Sequence, residues 1–269
     1  MEKILEKAKK YKYNSFNYVD LEDILAIDKE NIIINEEFIF MYSNNDEGVR
    51  GYWAADTEED FIVGINKAMD IIYSKSIEKP RIYLEFIPEN FVLPMERLGF
   101  KVNSEFFDYW IDDLNNIKNI GSKNYIIRRI KKEEYERVSD ITKACLGYSR
   151  GFRGEDHYFV KEWNENEESI ILVAELNNEV VGACFLNIYG HESSKGAVLW
   201  IRELAVEPKY HSKGIGKELI YSGLKWGIEN GAMRSFLACD TKNYSGIKIY
   251  ESFGYKRKEG ESQINMDKG

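Results

Sequence analysis

Residues 211–216 read His211-Ser212-Lys213-Gly214-Ile215-Gly216, and the fold follows from what stands on either side of them. Upstream, residues 197–206 (AVLWIRELAV) are a mostly apolar run of strand length, closed by the turn Glu207-Pro208-Lys209-Tyr210. Downstream, Ile215, Leu219, Ile220, Leu224 and Ile228 recur at helical spacing. The order is strand, glycine-bearing loop, helix. Glycines there remove Cβ atoms where backbone must approach a ligand closely, and a helix opening behind them aims free N–H groups and its positive dipole end at that ligand. Such a place suits a pyrophosphate. A Walker loop would need Gly-Lys-Ser/Thr after a longer run, and a Rossmann turn a third glycine with an acidic residue about twenty positions on. Neither pattern is present.

A second motif follows in register: Asn243, Gly246, Tyr250 and Gly254, ending Tyr250-Glu251-Ser252-Phe253-Gly254-Tyr255. The loop resembles the acetyl-CoA loop Q/R-x-x-G-x-G/A of the GNAT N-acetyltransferase superfamily, and the second motif resembles that family's N-x-x-A-x-x-x-Y-x-x-x-G signature. His211 stands where the family has Gln or Arg, and Gly246 where it has a small Ala. The resemblance implies an α/β (α+β) fold, a mixed and mostly antiparallel twisted sheet flanked by helices. In it two central parallel strands splay apart, here residues 199–206 and 235–240, and the acetyl-pantetheine arm enters between them. It implies acetyl-CoA as cosubstrate, held by Leu204, Ala205, Val206, His211, Ser212, Lys213, Gly214, Ile215, Gly216 and Lys217. Asn243 would then hold the pantetheine arm, and His211 would touch the cofactor or cap the loop, away from the thioester.

Acyl transfer to an amine needs a neutral amine, a stabilised oxyanion and a proton for the departing thiolate. An alkyl ammonium with a pKa near 10 resists losing its proton by about 4 kcal/mol near pH 7, so a base matters. The family places the oxyanion donor on the backbone of the segment that is Leu204 to Val206 here. Tyr250 takes the place of its phenol beside the sulfur and is the candidate acid. Two carboxylates, Glu203 and Asp240, stand like the paired acids of glucosamine-phosphate acetyltransferases of the superfamily. Each is equally placed for a structural ion pair, for example with Arg202 or Arg234. Residues 149–163 (SRGFRGEDHYFVKEW) fall where the family covers its acceptor site, with His157 among them.

The implied activity is acetyl-CoA-dependent transfer of an acetyl group to a small primary amine, an amino sugar such as glucosamine being favoured. The alternatives are acetylation of a protein or peptide amine, and a non-catalytic CoA-binding module. The chain has 46 acidic against 37 basic residues, a net charge of −9, and no basic tract. That argues against nucleic acid or an anionic membrane as partner and suits a cationic substrate. Cys145, Cys184 and Cys239 lack metal-ligand spacing and read as reduced core residues, and with three scattered histidines they give no metal site. No apolar run nears the ~18 residues of a membrane span, and the charged start carries no signal segment. A cytoplasmic monomer or homodimer is expected.

At 269 residues the chain fits two modest domains, read as residues 1–120 and 121–269, with the polar stretch 112–123 as linker. The first half mirrors the second. Leu98-Gly99-Phe100-Lys101 resembles Phe253-Gly254-Tyr255-Lys256, and 254 − 99 gives an offset of 155. The offset lays Ile65 and Met69 on Ile220 and Leu224. It implies a tandem GNAT-like repeat whose first copy has decayed. Under the cofactor loop that copy carries Asp56-Thr57-Glu58-Glu59-Asp60-Phe61, with no glycine and four carboxylates that would repel a pyrophosphate. Met95 underlies Tyr250 and Pro88 underlies Asn243. Local patterning further predicts helix over 1–27, a hairpin of 37–42 with 49–55, and strands at 82–87, 169–176 and 179–189. Residues 253–266 are expected to complete the second sheet.

Overall fold

The computed structural model describes residues 1–19, 21–117, 125–260 and 262–269. The elements are α1 (Glu2–Ala8), β1 (Tyr13–Asn14), α2 (Leu21–Leu25), β2 (Ile32–Ile34), β3 (Phe38–Asn45), β4 (Gly48–Ala55), α3 (Glu58–Ser74), β5 (Ile82–Ile87), α4 (Glu89–Arg97) and β6 (Lys101–Ile111). They continue with β7 (Ile126–Arg129), α5 (Tyr135–Ala144), α6 (His157–Glu165), β8 (Ser169–Leu176), β9 (Glu179–Tyr189), β10 (Ala197–Val206), α7 (Ile215–Glu229), β11 (Ala232–Asp240), α8 (Tyr244–Ser252), β12 (Lys256–Arg257) and β13 (Gln263–Lys268). These form two compact units: Met1–Glu105 with Glu261–Gly269, and Phe106–Gly260. Both are α/β units of the expected kind, with mixed, mostly antiparallel sheets flanked by helices.

In the first unit β2, β3, β4, β5, β13 and the start of β6 lie in that order. Only β4 and β5 run parallel among its registered pairs. Thr57 opens α3 by accepting a hydrogen bond from the Asp60 N–H at 3.1 Å, satisfying one of the donors a helix start leaves free. The helix then buries Phe61, Ile65, Ala68 and Ile72 in a core with Phe38, Phe40 and Trp53. Gly64 is imposed by packing, since a Cβ there would sit 2.2 Å from the Phe38 ring.

In the second unit the order is β6, β11, β10, β9, β8, β7, with β10 and β11 parallel. The β8–β9 hairpin turns on Asn177 and Asn178, both left-handed at φ 52° and 64°, a conformation asparagine tolerates well. One face packs Leu219, Ile220 and Leu224 of α7 on Leu186, Leu199 and Leu237. The other packs Val138 and Ile141 of α5 and Val160 of α6 on Val173, Ala183 and Phe185.

The repeat is visible in the elements themselves. The bounds of α4 and α8 coincide at the offset, because 244 − 89 and 252 − 97 both give 155, and 229 − 74 gives it again for the ends of α3 and α7. Three expectations change. Residues 1–27 are two short helices, a two-residue strand and a 3-10 turn in place of helical structure throughout. The stretch 253–266 is divided: β12 pairs with Tyr109 and Trp110 of β6 in the second unit, whose Phe106–Ile111 also pair with β11, whereas β13 pairs antiparallel with β5 of the first. Of the expected linker, 112–117 include a 3-10 turn at Leu114–Asn116, and 118–123 lie outside the described residues.

Candidate active site

The parallel pairing of β10 and β11 runs from Ala197↔Ala232 to Trp200↔Phe236 and stops there. Beyond it β10 stays with β9 to Val206↔Gly182, and β11 stays with β6 to Asp240↔Phe106. The two strands part, as the family resemblance implied. A register shift between Ile201 and Glu203 leaves Arg202 as an extra residue at the start of the fork. Past the shift, Glu207 donates its N–H to Val181 of β9, so by alternation the amides of Leu204 and Val206 point away from β9, into the gap. These are the donors expected for an oxyanion and an extended amide ligand.

The loop beyond β10 builds the second half of the site. Ser212 and Gly214 are left-handed, at φ 60° and 88°, and Gly214 caps α7. Among the described residues, the N–H groups of Ser212 to Lys217 donate no hydrogen bond, so a row of amides and the dipole end of a 15-residue helix point outward together. The glycines serve different needs. Gly214 has open space around it and is required by its φ, whereas a Cβ on Gly216 would meet only Ile249, Leu204 and Val206 at ordinary contact distances of 3.4–4.0 Å. The protein itself does not demand glycine at 216. The bare Cα leaves room for a ligand to lie against that backbone. Free amides, a positive helix end and a bare Cα fit a pyrophosphate.

His211 turns inward: Nε2 lies 2.6 Å from the Val206 carbonyl oxygen, and the ring meets Tyr148 edge-on at 4.9 Å. It buttresses the end of β10. Lys213 offers its carbonyl to the Tyr125 hydroxyl at 2.7 Å, which pins the loop from outside. Asn243 caps α8, its Oδ1 accepting from the Gly246 N–H at 2.9 Å. An alanine Cβ at 246 would fall 2.9–3.1 Å from the Asn243 side chain, so glycine here leaves room for the asparagine itself. Tyr250, from the same helix, is buried, and burial chiefly, with the adjoining Cys239, Cys184 and Tyr255, pushes its phenol well above the usual range. It therefore stays protonated, as a proton donor must.

The two acids differ sharply. Asp240, 1% exposed, is gripped by Arg150 through both carboxylate oxygens at 3.1 and 2.9 Å, and its Oδ1 also accepts the Lys242 N–H at 2.9 Å. Glu203 has one oxygen 2.9 Å from Arg202, whose same nitrogen also holds Glu155 at 2.7 Å. Its other oxygen, Oε1, is buried with no hydrogen-bond partner among the described residues. Burial first, then the neighbouring Glu155 charge, push the Glu203 carboxyl up to about 8, with Arg202 opposing. Each acid does have an arginine, but Asp240 takes Arg150, and Arg234 serves neither. Arg150 and Glu155 were missed from the sequence. Both lie in 149–163, where the one signal was a cluster of charges and aromatics. His157 caps nothing; it begins α6, against Tyr158 at 3.9 Å.

The equivalent place in the first unit is filled. There β4 and β5 are registered from Val49↔Ile82 to Gly51↔Leu84, and beyond that the Trp53 indole donates to the Glu85 carbonyl at 2.9 Å while packing on Phe61 and Phe91. Asp56 there accepts the Lys12 N–H at 3.0 Å. No group of three or more potential metal ligands occurs among the described residues, and no described helix is long and apolar enough to cross a membrane.

The family profile described as Acetyltransferase (GNAT) family matches residues 135–255, which lie within the second unit. The chain is 33% identical over 131 residues to YhfO of Bacillus subtilis, an uncharacterized N-acetyltransferase, covering 48% of this chain and 78% of that protein. The chain belongs to the GNAT acetyltransferase family. Other N-acetyltransferases are less fully covered: an uncharacterized one, MJ1207 of Methanocaldococcus jannaschii, is 27% identical over 51% of this chain and 63% of its own length. N-alpha-acetyltransferase 30 of Xenopus laevis is 30% identical over 54% of this chain and 52% of its own. Solved structures share the fold over nearly the whole chain. A GNAT protein from Sphaerobacter thermophilus superposes with a TM-score of 0.61 at 15% identity, over 93% of this chain and 86% of that one. One from Anabaena variabilis gives 0.63 at 10% identity, over 98% and 68%. At such identities these show a shared fold.

Proposed function

We propose that the second unit is an acetyl-CoA-dependent N-acetyltransferase acting on a primary amine. The observation that carries the reading is the alignment of three features on one path: the outward amides of Ser212 to Lys217, the gap between β10 and β11, and Glu203 at the head of that gap. The amides bind the pyrophosphate. Leu204 and Val206 amides hold the pantetheine arm and face the developing oxyanion, and Asn243 borders the arm from α8. Acetyl-CoA supplies the activated acyl group when bound.

Glu203 is the proton acceptor. Its raised carboxyl and orphaned Oε1 give a basic oxygen in need of a donor, which an acceptor ammonium provides directly or through water. Burial sets most of that basicity, the second carboxyl of Glu155 adds to it and the shared guanidinium of Arg202 restrains it. Asp240 has a positioning role, anchoring Arg150 beneath residues 149–156. Tyr250 protonates the departing thiolate. The first unit, with Trp53 in its slot and Asp56 at its loop, binds no nucleotide.

Two acceptor classes suit this chemistry. A small amine such as an amino sugar is favoured by the enclosed acid pair. The similarity over about half the chain to N-alpha-acetyltransferase 30 supports an α-amine acceptor as the second reading. Calorimetric titration with CoA, followed by acetyl-CoA consumption with amino sugars, simple amines and short peptides, tests the assignment. CoA binding with turnover on one class is expected, and binding without turnover on any amine would reduce the unit to a cofactor-binding module.

A further inference from the structure

Beside the acid pair lies a cleft of about 290 Å³ whose walls are Phe159 and Trp163 of α6 and Trp200 of β10. Phe159 and Trp163 lie 5.8 Å apart with their planes inclined at 30°, and Trp200 meets Trp163 edge-on at 5.7 Å. The indole N–H of Trp163 is spent on the Leu186 carbonyl at 3.2 Å, which fixes the ring and leaves its surface as plain hydrocarbon. The cleft adjoins the reacting end of the fork. Trp200 is the last residue of β10 paired with β11, and Arg202, two residues on, is the residue that holds Glu155 and Glu203.

The rim is polar and has hydrogen-bonding groups that no described protein group takes up. Asn187 donates from Nδ2 to Ser169 Oγ at 3.0 Å, and Asn166 accepts at Oδ1 from the Glu168 N–H at 2.9 Å. Among the described residues, the Asn187 carbonyl oxygen and the Asn166 amide nitrogen have no protein partner, and Glu162 stands exposed beside them. One donor group and two acceptor groups thus surround three aromatic faces.

Two occupants are disfavoured by what is already there. A cation would seek the aromatic faces, but the Arg202 guanidinium lies 4.3 Å from the Phe159 ring centre and 5.3 Å from that of Trp163. A second positive charge would be repelled by it. A purely apolar group would cover the aromatics and make no use of the polar rim formed by Glu162, Asn166 and Asn187. A neutral ring with apolar faces and hydroxyls around its edge satisfies both.

We propose that this cleft binds the neutral, hydroxyl-bearing six-membered ring of an amino-sugar acceptor, its faces on Trp200 and Trp163 and its hydroxyls on Asn166, Asn187 and Glu162, with the amine directed past Arg202 to Glu203. The proposal rests on the transferase reading above and names its acceptor class. The cleft is a ring subsite; the acid pair is the amine subsite.

The test separates ring recognition from catalysis. N-Acetylglucosamine, which has the ring but no basic amine, is titrated into the full chain and followed by saturation-transfer NMR, for wild type, Trp200→Leu and Glu162→Ala. Saturable binding is expected, weakened about tenfold or more in Trp200→Leu and about threefold in Glu162→Ala, with the CoA dissociation constant of both variants within twofold of wild type as proof of folding. Absence of binding, or equal binding in all three proteins, overturns the proposal. Acetylation of peptide α-amines with no sugar bound or acetylated also overturns it while leaving the transferase reading intact. Sugar binding lost in Trp200→Leu but without acetyl transfer to any amine supports the cleft and removes the transferase reading instead.

Discussion

Glu203→Gln tests the acid pair through stability and catalysis at once. Holding the carboxyl at about 8 against an ordinary 4.5 means that the fold prefers its protonated form by about 5 kcal/mol, at about 1.4 kcal/mol per pH unit. Between those values the folded chain keeps a proton that the unfolded chain has released. Stability from this group is therefore complete below about pH 4.5, declines as pH rises, and is fully lost above about 8. Glutamine keeps the shape and does not titrate. The variant should gain on wild type by up to about 3 kcal/mol between pH 4.5 and pH 7, an upper bound read from urea unfolding of both proteins across that range. If Glu203 is the base, kcat/KM of wild type rises with pH to a plateau near 8, and Glu203→Gln loses that rise together with 10²–10⁴-fold of rate, the usual worth of general base catalysis. Stability curves that run parallel, with a pH–rate rise surviving in the variant, would refute the assignment.

Tyr250→Phe should lower turnover about tenfold or more and leave CoA affinity within about twofold, measured by steady-state kinetics and calorimetry; a wild-type rate ends the acid role. Gly216→Ala should change the unfolding midpoint little, since its Cβ meets only ordinary contacts, yet weaken CoA at least about tenfold by filling the space where the ligand's oxygens lie against the backbone. Arg150→Ala strips the guanidinium from an aspartate that is 1% exposed and should cost about 3–5 kcal/mol of stability in urea unfolding; a loss below about 1 kcal/mol would show that Asp240 is not held by that pair.

The second unit's site was legible where the signal was local. A strand, a glycine loop and a helix occupy consecutive residues, so the spacing of Gly214, Gly216 and Ile215 with Leu219 carries the geometry directly. The repeat was legible because α4 and α8 keep the same bounds under one offset. Charge partners were not. Arg150 meets Asp240 across 90 positions and Arg202 meets Glu155 across 47, and no periodicity links such pairs. The partner of β13 was hidden for a like reason: an apolar alternating stretch fits the edge of either sheet, and only the fold decides which. Nothing in the sequence of 149–163 said that two of its aromatics, Phe159 and Trp163, would line one cleft with Trp200, 37 residues beyond Trp163 in the chain.

The return of β13 to β5 fixes an order of completion during synthesis. Residues 106–260 contain every strand and helix their own unit needs, so it can finish while the chain is still growing. The earlier residues must wait, with the edge of β5 unpaired, until residues 263–268 emerge. Residues made early are thus sealed only once 263–268 have been made, and a chain cut before residue 263 leaves β5 as an open, association-prone edge.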